Sequence, residues 1–150
     1  MRTIDIETPH GLARAHLHEA DRPRGALVLG HGAGGSVGAT DLVAVTEAAL
    51  TDGFSVALVE QPYRVAGRRS QAPAHQLDTA WTTVVDHLRT TDLRGLPLVV
   101  GGRSAGARVA CRTAAATGAV GVLCLAFPLQ PARAGSESRL PELDAVQVPT

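Results

Sequence analysis

Apolar residues in this chain gather in short unbroken runs, separated by longer stretches where they recur every three or four positions. Ala26-Leu27-Val28-Leu29 is apolar at every side chain, as a strand buried on both faces should be. Similar runs follow at Phe54–Val59, Leu98–Val100 and Val122–Phe127. Between the first two, Leu42, Val45, Ala49 and Leu50 fall at helical spacing, with Thr40 or Asp41 placed to cap. Between the second and third, Leu77, Trp81, Val84 and Leu88 mark one face of an amphipathic helix whose other faces carry Asp78, Asp86 and Arg89. After the third, Ala107, Ala110, Cys111 and Ala114 form a small-residue stripe suited to close packing on a strand. Strand and helix in this alternation predict a mostly parallel, doubly wound α/β sheet with crossover helices on both faces.

Upstream, Ile4 to Ala20 alternates around Pro9-His10-Gly11 and predicts an N-terminal β-hairpin with one wet face. Gln61–Ala74 and Pro128–Pro141 are rich in Pro, Gly, Ser or Arg and read as loops. Both follow strand ends, where open α/β sheets place their ligand crevice.

Composition narrows the class further. With 150 residues, 45% of them apolar, the chain is expected to form a single domain over residues 1–150. Its 14 basic residues, all arginine, balance 14 acidic ones, which leaves no nucleic-acid footprint and no basic segment for an anionic membrane. The lack of lysine removes Schiff-base chemistry. No apolar run approaches bilayer length and the N-terminus is charged too early for a signal peptide, so a cytoplasmic location is expected. Cys111 and Cys124 form no paired motif and read as two reduced, mostly buried thiols, with no metal site or disulfide.

Two glycine-rich segments carry candidate chemistry. Gly102-Arg103-Ser104-Ala105-Gly106 directly follows the strand Leu98–Val100 and opens the small-residue helix. That order of strand, turn and helix suits a nucleophile elbow, with Ser104 exposed above the sheet at a helix N-terminus. The alternative is a phosphate-binding or purely structural glycine turn. Gly30-His31-Gly32-Ala33-Gly34-Gly35 follows the first buried strand. Read as a dinucleotide fingerprint, it lacks an acidic residue at the proper distance, because Glu60 lies too far along. Its free amides better suit the second half of an oxyanion hole, with Ala33 and Ala105 as donors. His31 reads as an architectural residue of this loop, or else as a base. Arg64, Arg68 and Arg69 follow a strand end, where they line the crevice or are simply solvated, and Tyr63 beside them contacts substrate or packs the core and loop.

These blocks, with Glu60-Gln61-Pro62-Tyr63 and Leu125-Ala126-Phe127-Pro128-Leu129-Gln130-Pro131, appear in an order that resembles the α/β-hydrolase superfamily. The likeness is to its small cap-less branch, related to dienelactone hydrolases and to the testis-expressed protein 30 and KAT8 regulatory subunit 3 group. The resemblance implies a serine hydrolase of ester-like bonds in a small substrate. It gives the catalytic role to Ser104, the oxyanion hole to Ala33 and Ala105, and no cofactor. By their position at strand ends, His31, Tyr63, Arg64 and Arg68 are the candidate substrate contacts. It also implies an acid and then a histidine after the serine, yet all six histidines precede Ser104. The expectations are therefore a hydrolase domain incomplete at its C-terminus and impaired activity, with His31, or His75 at the crevice rim, the alternative source of a base. A non-catalytic interaction module on the same scaffold is the alternative. Val122–Phe127 is expected to be a bare edge strand open to homodimerisation.

Overall fold

A computed structural model describes residues 1–150. Strand β1 (Arg2–Thr8) turns back through Pro9 and His10 into β2 (Gly11–His18), pairing antiparallel from Arg2↔Leu17 to Thr8↔Gly11. Ala13, Ala15 and Leu17 are buried, while Leu12, Arg14, His16 and His18 alternate toward the wetter face. The hairpin joins the sheet through β2, antiparallel to β4 (Phe54–Glu60). Next come β3 (Gly25–Gly30), β5 (Leu98–Arg103) and β6 (Gly121–Leu125), parallel to β4 and to one another. The sheet order is β1-β2-β4-β3-β5-β6.

Burial on both faces of β3 divides its side chains between two cores. Ala26 and Val28 join the larger one, with Trp81, Val84, Val85 and Leu88 of α3 (Ala74–Thr90) and the buried face of α4 (Ala105–Thr117). Leu27 and Leu29 meet Leu42 of α1 (Thr40–Thr51), together with Val56 and Leu58, on the opposite face. Leu77, Trp81, Val84 and Leu88 are all buried, as their spacing requires. None of the helices is long and apolar enough to cross a membrane.

Local chemistry differs from expectation in several places. The segment after β4 is not all loop: Pro62–Val65 forms a short helix, α2, with Pro62 in the first turn, where its missing N–H costs nothing. A second short helix, α5 (Leu140–Asp144), ends the later loop. The cap position of α1 is Ala39 and has no side-chain cap bond. Asp41 instead accepts from the Leu42 N–H and from Arg103. The last strand stops at Leu125, because Ala126 takes a positive φ of 51°. Its edge is not bare either: the Val122 N–H donates to the Pro149 carbonyl at 2.9 Å, leaving Leu123–Leu125 as the half-buried open part.

Trp81, 1% exposed, is the largest fully buried side chain and packs against Gly30 from beneath the sheet. Trp81→Ala is expected to cost about 3–5 kcal/mol in urea denaturation. A loss under about 1 kcal/mol would show that α3 is not anchored there.

Candidate active site

The junction of β5 and α4 is shaped by the absence of side chains. A Cβ on Gly102 would stand 2.7 Å from the Gly30 carbonyl oxygen, and one on Gly106 would stand 2.6 Å from that same oxygen and 2.8 Å from that of His31. The first turn of α4 therefore lies backbone against backbone on the end of β3. To turn into a helix held this close, the chain places Ser104 at φ 53°, ψ −110°, a left-handed conformation rare outside glycine. The Ser104 N–H donates to the Leu125 carbonyl at 2.8 Å, which ties the bend to β6. Its hydroxyl does not cap α4, and the side chain is half-buried.

The glycine loop after β3 lies beside this bend. A Cβ on Gly32 would be 3.6 Å from Ser104 Cβ and 3.5 Å from the Arg103 carbonyl oxygen. The loop then turns through a Gly35 N–H to Gly32 carbonyl bond of 3.0 Å, with Gly34 at φ 67°. Between them Ala33 is exposed, and its N–H donates to no backbone carbonyl. Ala105 opens α4, where first-turn amides lack intrahelical acceptors. The fold thus gathers Ser104, the Gly32–Ala33 segment and Ala105 at the carboxyl ends of β3 and β5.

His31 is 4% exposed, and both its ring nitrogens are occupied. Nδ1 lies 2.9 Å from the Gly32 carbonyl oxygen, and Nε2 accepts the Gln61 N–H at 3.1 Å. A carbonyl can only accept and an amide can only donate, so the ring is the neutral Nδ1–H tautomer. Burial lowers its pKa below the ordinary 6.5, outweighing the Gly32 bond. The ring staples the glycine loop to the end of β4, and it has no nitrogen left for substrate or for Ser104. That corrects the expectation of a substrate contact or stand-in base.

Tyr63 lies edge-on to His31, with ring centroids 5.7 Å apart, and is buried in the core. Burial pushes its phenol up, with the Gly34 amide acting the other way. Tyr63 therefore props the glycine loop from below. Arg64 Nη1 donates to the Arg68 carbonyl at 3.0 Å and so closes the α2 turn. The exposed Arg68 side chain stands at the rim of a cavity of about 270 Å³ between the hairpin turn and α2. His75 is exposed and stacks edge-on with His10 at 6.4 Å. Arg103 pairs with Asp41 at 3.0 Å, and Arg108 with Glu142 at 2.7 Å. Arg112 reaches both Asp78 and Glu142. Burial opposes ionisation of Glu142, but the Arg108 and Arg112 guanidiniums outweigh it and hold the carboxyl below its ordinary value.

Sequence reasoning missed Gln61. Its side-chain N–H₂ donates to the Leu77 carbonyl at 3.1 Å, so it links β4, the glycine loop and α3. Its Oε1 and the Trp81 Nε1 are buried without a protein partner. Both residues line a space of about 10 Å³ beneath Ala105 and Gly106. No spacing rule marks a glutamine for such a role; its burial beside a strand end is the only signal.

Two outcomes follow from this geometry. Gly106→Ala is expected to lower stability by about 1–3 kcal/mol, because the new methyl meets rigid carbonyls; an unchanged urea midpoint would contradict the backbone contact. Between its lowered folded value and 6.5, His31 is protonated only in the unfolded chain. Stability is therefore whole above pH 6.5 and declines as pH falls through that window, with His18, also lowered by burial, acting in the same direction. An NMR titration placing the His31 midpoint at or above 6.5 would overturn this.

An alpha/beta hydrolase domain model matches residues 23–150. Among solved structures, the chain is similar to an α/β serine hydrolase without a lid from Xanthomonas campestris, at 17% identity and a TM-score of 0.77, covering 99% of this chain and 66% of that one. It is also similar to an α/β serine hydrolase homologue from Coxiella burnetii, at 13% identity and a TM-score of 0.74, covering 85% and 64%. A dienelactone hydrolase from Anabaena variabilis gives 18% identity and a TM-score of 0.70, covering 82% and 61%. The chain thus spans 61–66% of the length of these three structures, and at such identities the likeness concerns the fold. No curated protein matches by sequence. With the family model covering most of its length, and with β3, β5 and α4 arranged as described, the chain belongs to the alpha/beta hydrolase domain family.

Proposed function

We propose that this chain carries the nucleophile and oxyanion half of a serine hydrolase acting on ester-like bonds of a small substrate. The observation that carries this reading is Ser104 at φ 53°, held between a strand and a helix with Gly32 alongside. Ser104 Oγ attacks the acyl carbon, and the oxygen that becomes negative is met by the Ala33 and Ala105 N–H groups. As the C–O bond breaks, the Ser104 hydroxyl proton passes to the departing alcohol; water then attacks the acyl carbon, releasing the acid and returning a proton to Ser104 Oγ.

In this reading the serine works without a paired base. No histidine hydrogen-bonds the Ser104 hydroxyl; His31 is saturated and His16 is engaged with Glu60. A serine hydroxyl without a base is a weak nucleophile, and the oxyanion hole and binding alone leave about 10³–10⁴-fold acceleration over water. The domain over residues 1–150 is thus an impaired hydrolase unit by itself. Self-association, where it occurs, falls on the open Leu123–Leu125 part of β6.

A fluorophosphonate probe distinguishes this reading from a non-catalytic interaction module. We expect slow labelling at Ser104, accelerated by added imidazole acting as the missing base and abolished in Ser104→Ala. A folded chain that stays unlabelled with imidazole present would favour the module.

A further inference from the structure

The only two cysteines of the chain, 13 residues apart in sequence, meet in the fold. Cys111 lies on α4, two turns beyond Ser104, and Cys124 lies on β6; their Sγ atoms are 3.5 Å apart. Two further features bear on their chemistry. Cys124 is half-buried on the outermost strand, where a small reagent can reach it. Cys111, although buried, lines a cavity of about 750 Å³ between α4 and the segment Ala145–Val148. Burial and the neighbouring Cys124 push the Cys111 thiol up to about 12, so at neutral pH it is the protonated, less reactive member of the pair.

We propose that Cys111 and Cys124 form a reversible disulfide under hydroperoxide, a covalent clamp between the helix that carries Ser104 and the edge strand. The more accessible Cys124 sulfur attacks peroxide, breaking the O–O bond, and becomes a sulfenic acid as one water leaves. Cys111 sulfur then attacks the Cys124 sulfur and breaks its S–O bond. The departing hydroxide takes the Cys111 proton as a second water. Two thiols and one hydrogen peroxide thus give one disulfide and two waters, with two electrons passing from sulfur to oxygen. The sulfurs must close from 3.5 Å to about 2 Å, a shift to be met by rotation of the two cysteine side chains, since α4 is held against β3. The clamp reinforces a junction already made by the Ser104 N–H to Leu125 carbonyl bond.

The test is peroxide treatment of the 150-residue chain followed by intact-mass and peptide analysis without reductant. The expected product is a monomer lighter by two hydrogens, with no titratable thiol and a proteolytic fragment joining Cys111 to Cys124. Dithiothreitol should restore the original mass. The oxidised monomer should melt several degrees higher, because the link restrains the unfolded chain. In Cys111→Ser and Cys124→Ser the loss of hydrogens should vanish. Two surviving thiols, separate oxygen additions at the two sulfurs, or links formed only between chains would each overturn the proposal. Should a variant fail to fold, the wild-type peptide map decides alone.

Discussion

The close approach of α4 to β3 is the constraint on which the rest of the site depends. Carbonyl oxygens of Gly30 and His31 stand where a Cβ on Gly106 would have to be, and the Gly30 carbonyl also excludes one from Gly102. Close packing of this kind leaves no slack, so displacement of either element is felt by the other. Ser104 is left with a left-handed bend as its way into the helix. The strain of that conformation, of order 1–3 kcal/mol, is offset by the sheet and helix bonds on either side.

Around that contact, polar groups fix the glycine loop with few degrees of freedom left. His31 joins the Gly32 carbonyl to the Gln61 amide, Tyr63 fills the space beneath, and Gln61 reaches across to Leu77. A loop of glycines is entropically costly to order, and these buried, hydrogen-bonded side chains hold it in one arrangement. Ion pairs serve the outer parts. Arg103 ties α1 to the bend, while Arg108 and Arg112 hold α5 and α3 against α4. The arginines near the elbow are thus engaged with carboxylates, and Arg64 with a carbonyl of its own loop.

Much of this architecture could be read from the chain, because burial on two faces leaves an unmistakable run of apolar residues in β3 and β4. The amphipathic face of α3 was equally plain, since Leu77, Trp81, Val84 and Leu88 follow the helical period. Features set by contacts distant in sequence were not legible. Asp41 does not cap α1 because it lies inside the helix and is drawn to Arg103, 62 residues away. The meeting of Cys111 with Cys124 depends on how α4 lies over β6, which no spacing encodes. His31 offered two readings because its role is decided by the Gln61 amide, 30 residues on. The α2 helix, Pro62–Val65, carries no sequence signature because four residues show no periodicity.

A crystal structure of the chain carrying a phosphonate on its reactive serine would test the central claim most directly. The account predicts phosphorus bonded to Ser104 Oγ, with the phosphonyl oxygen between the Ala33 and Ala105 N–H groups and residue 104 still at positive φ. An adduct whose phosphonyl oxygen faces solvent, with those amides turned away, would contradict it.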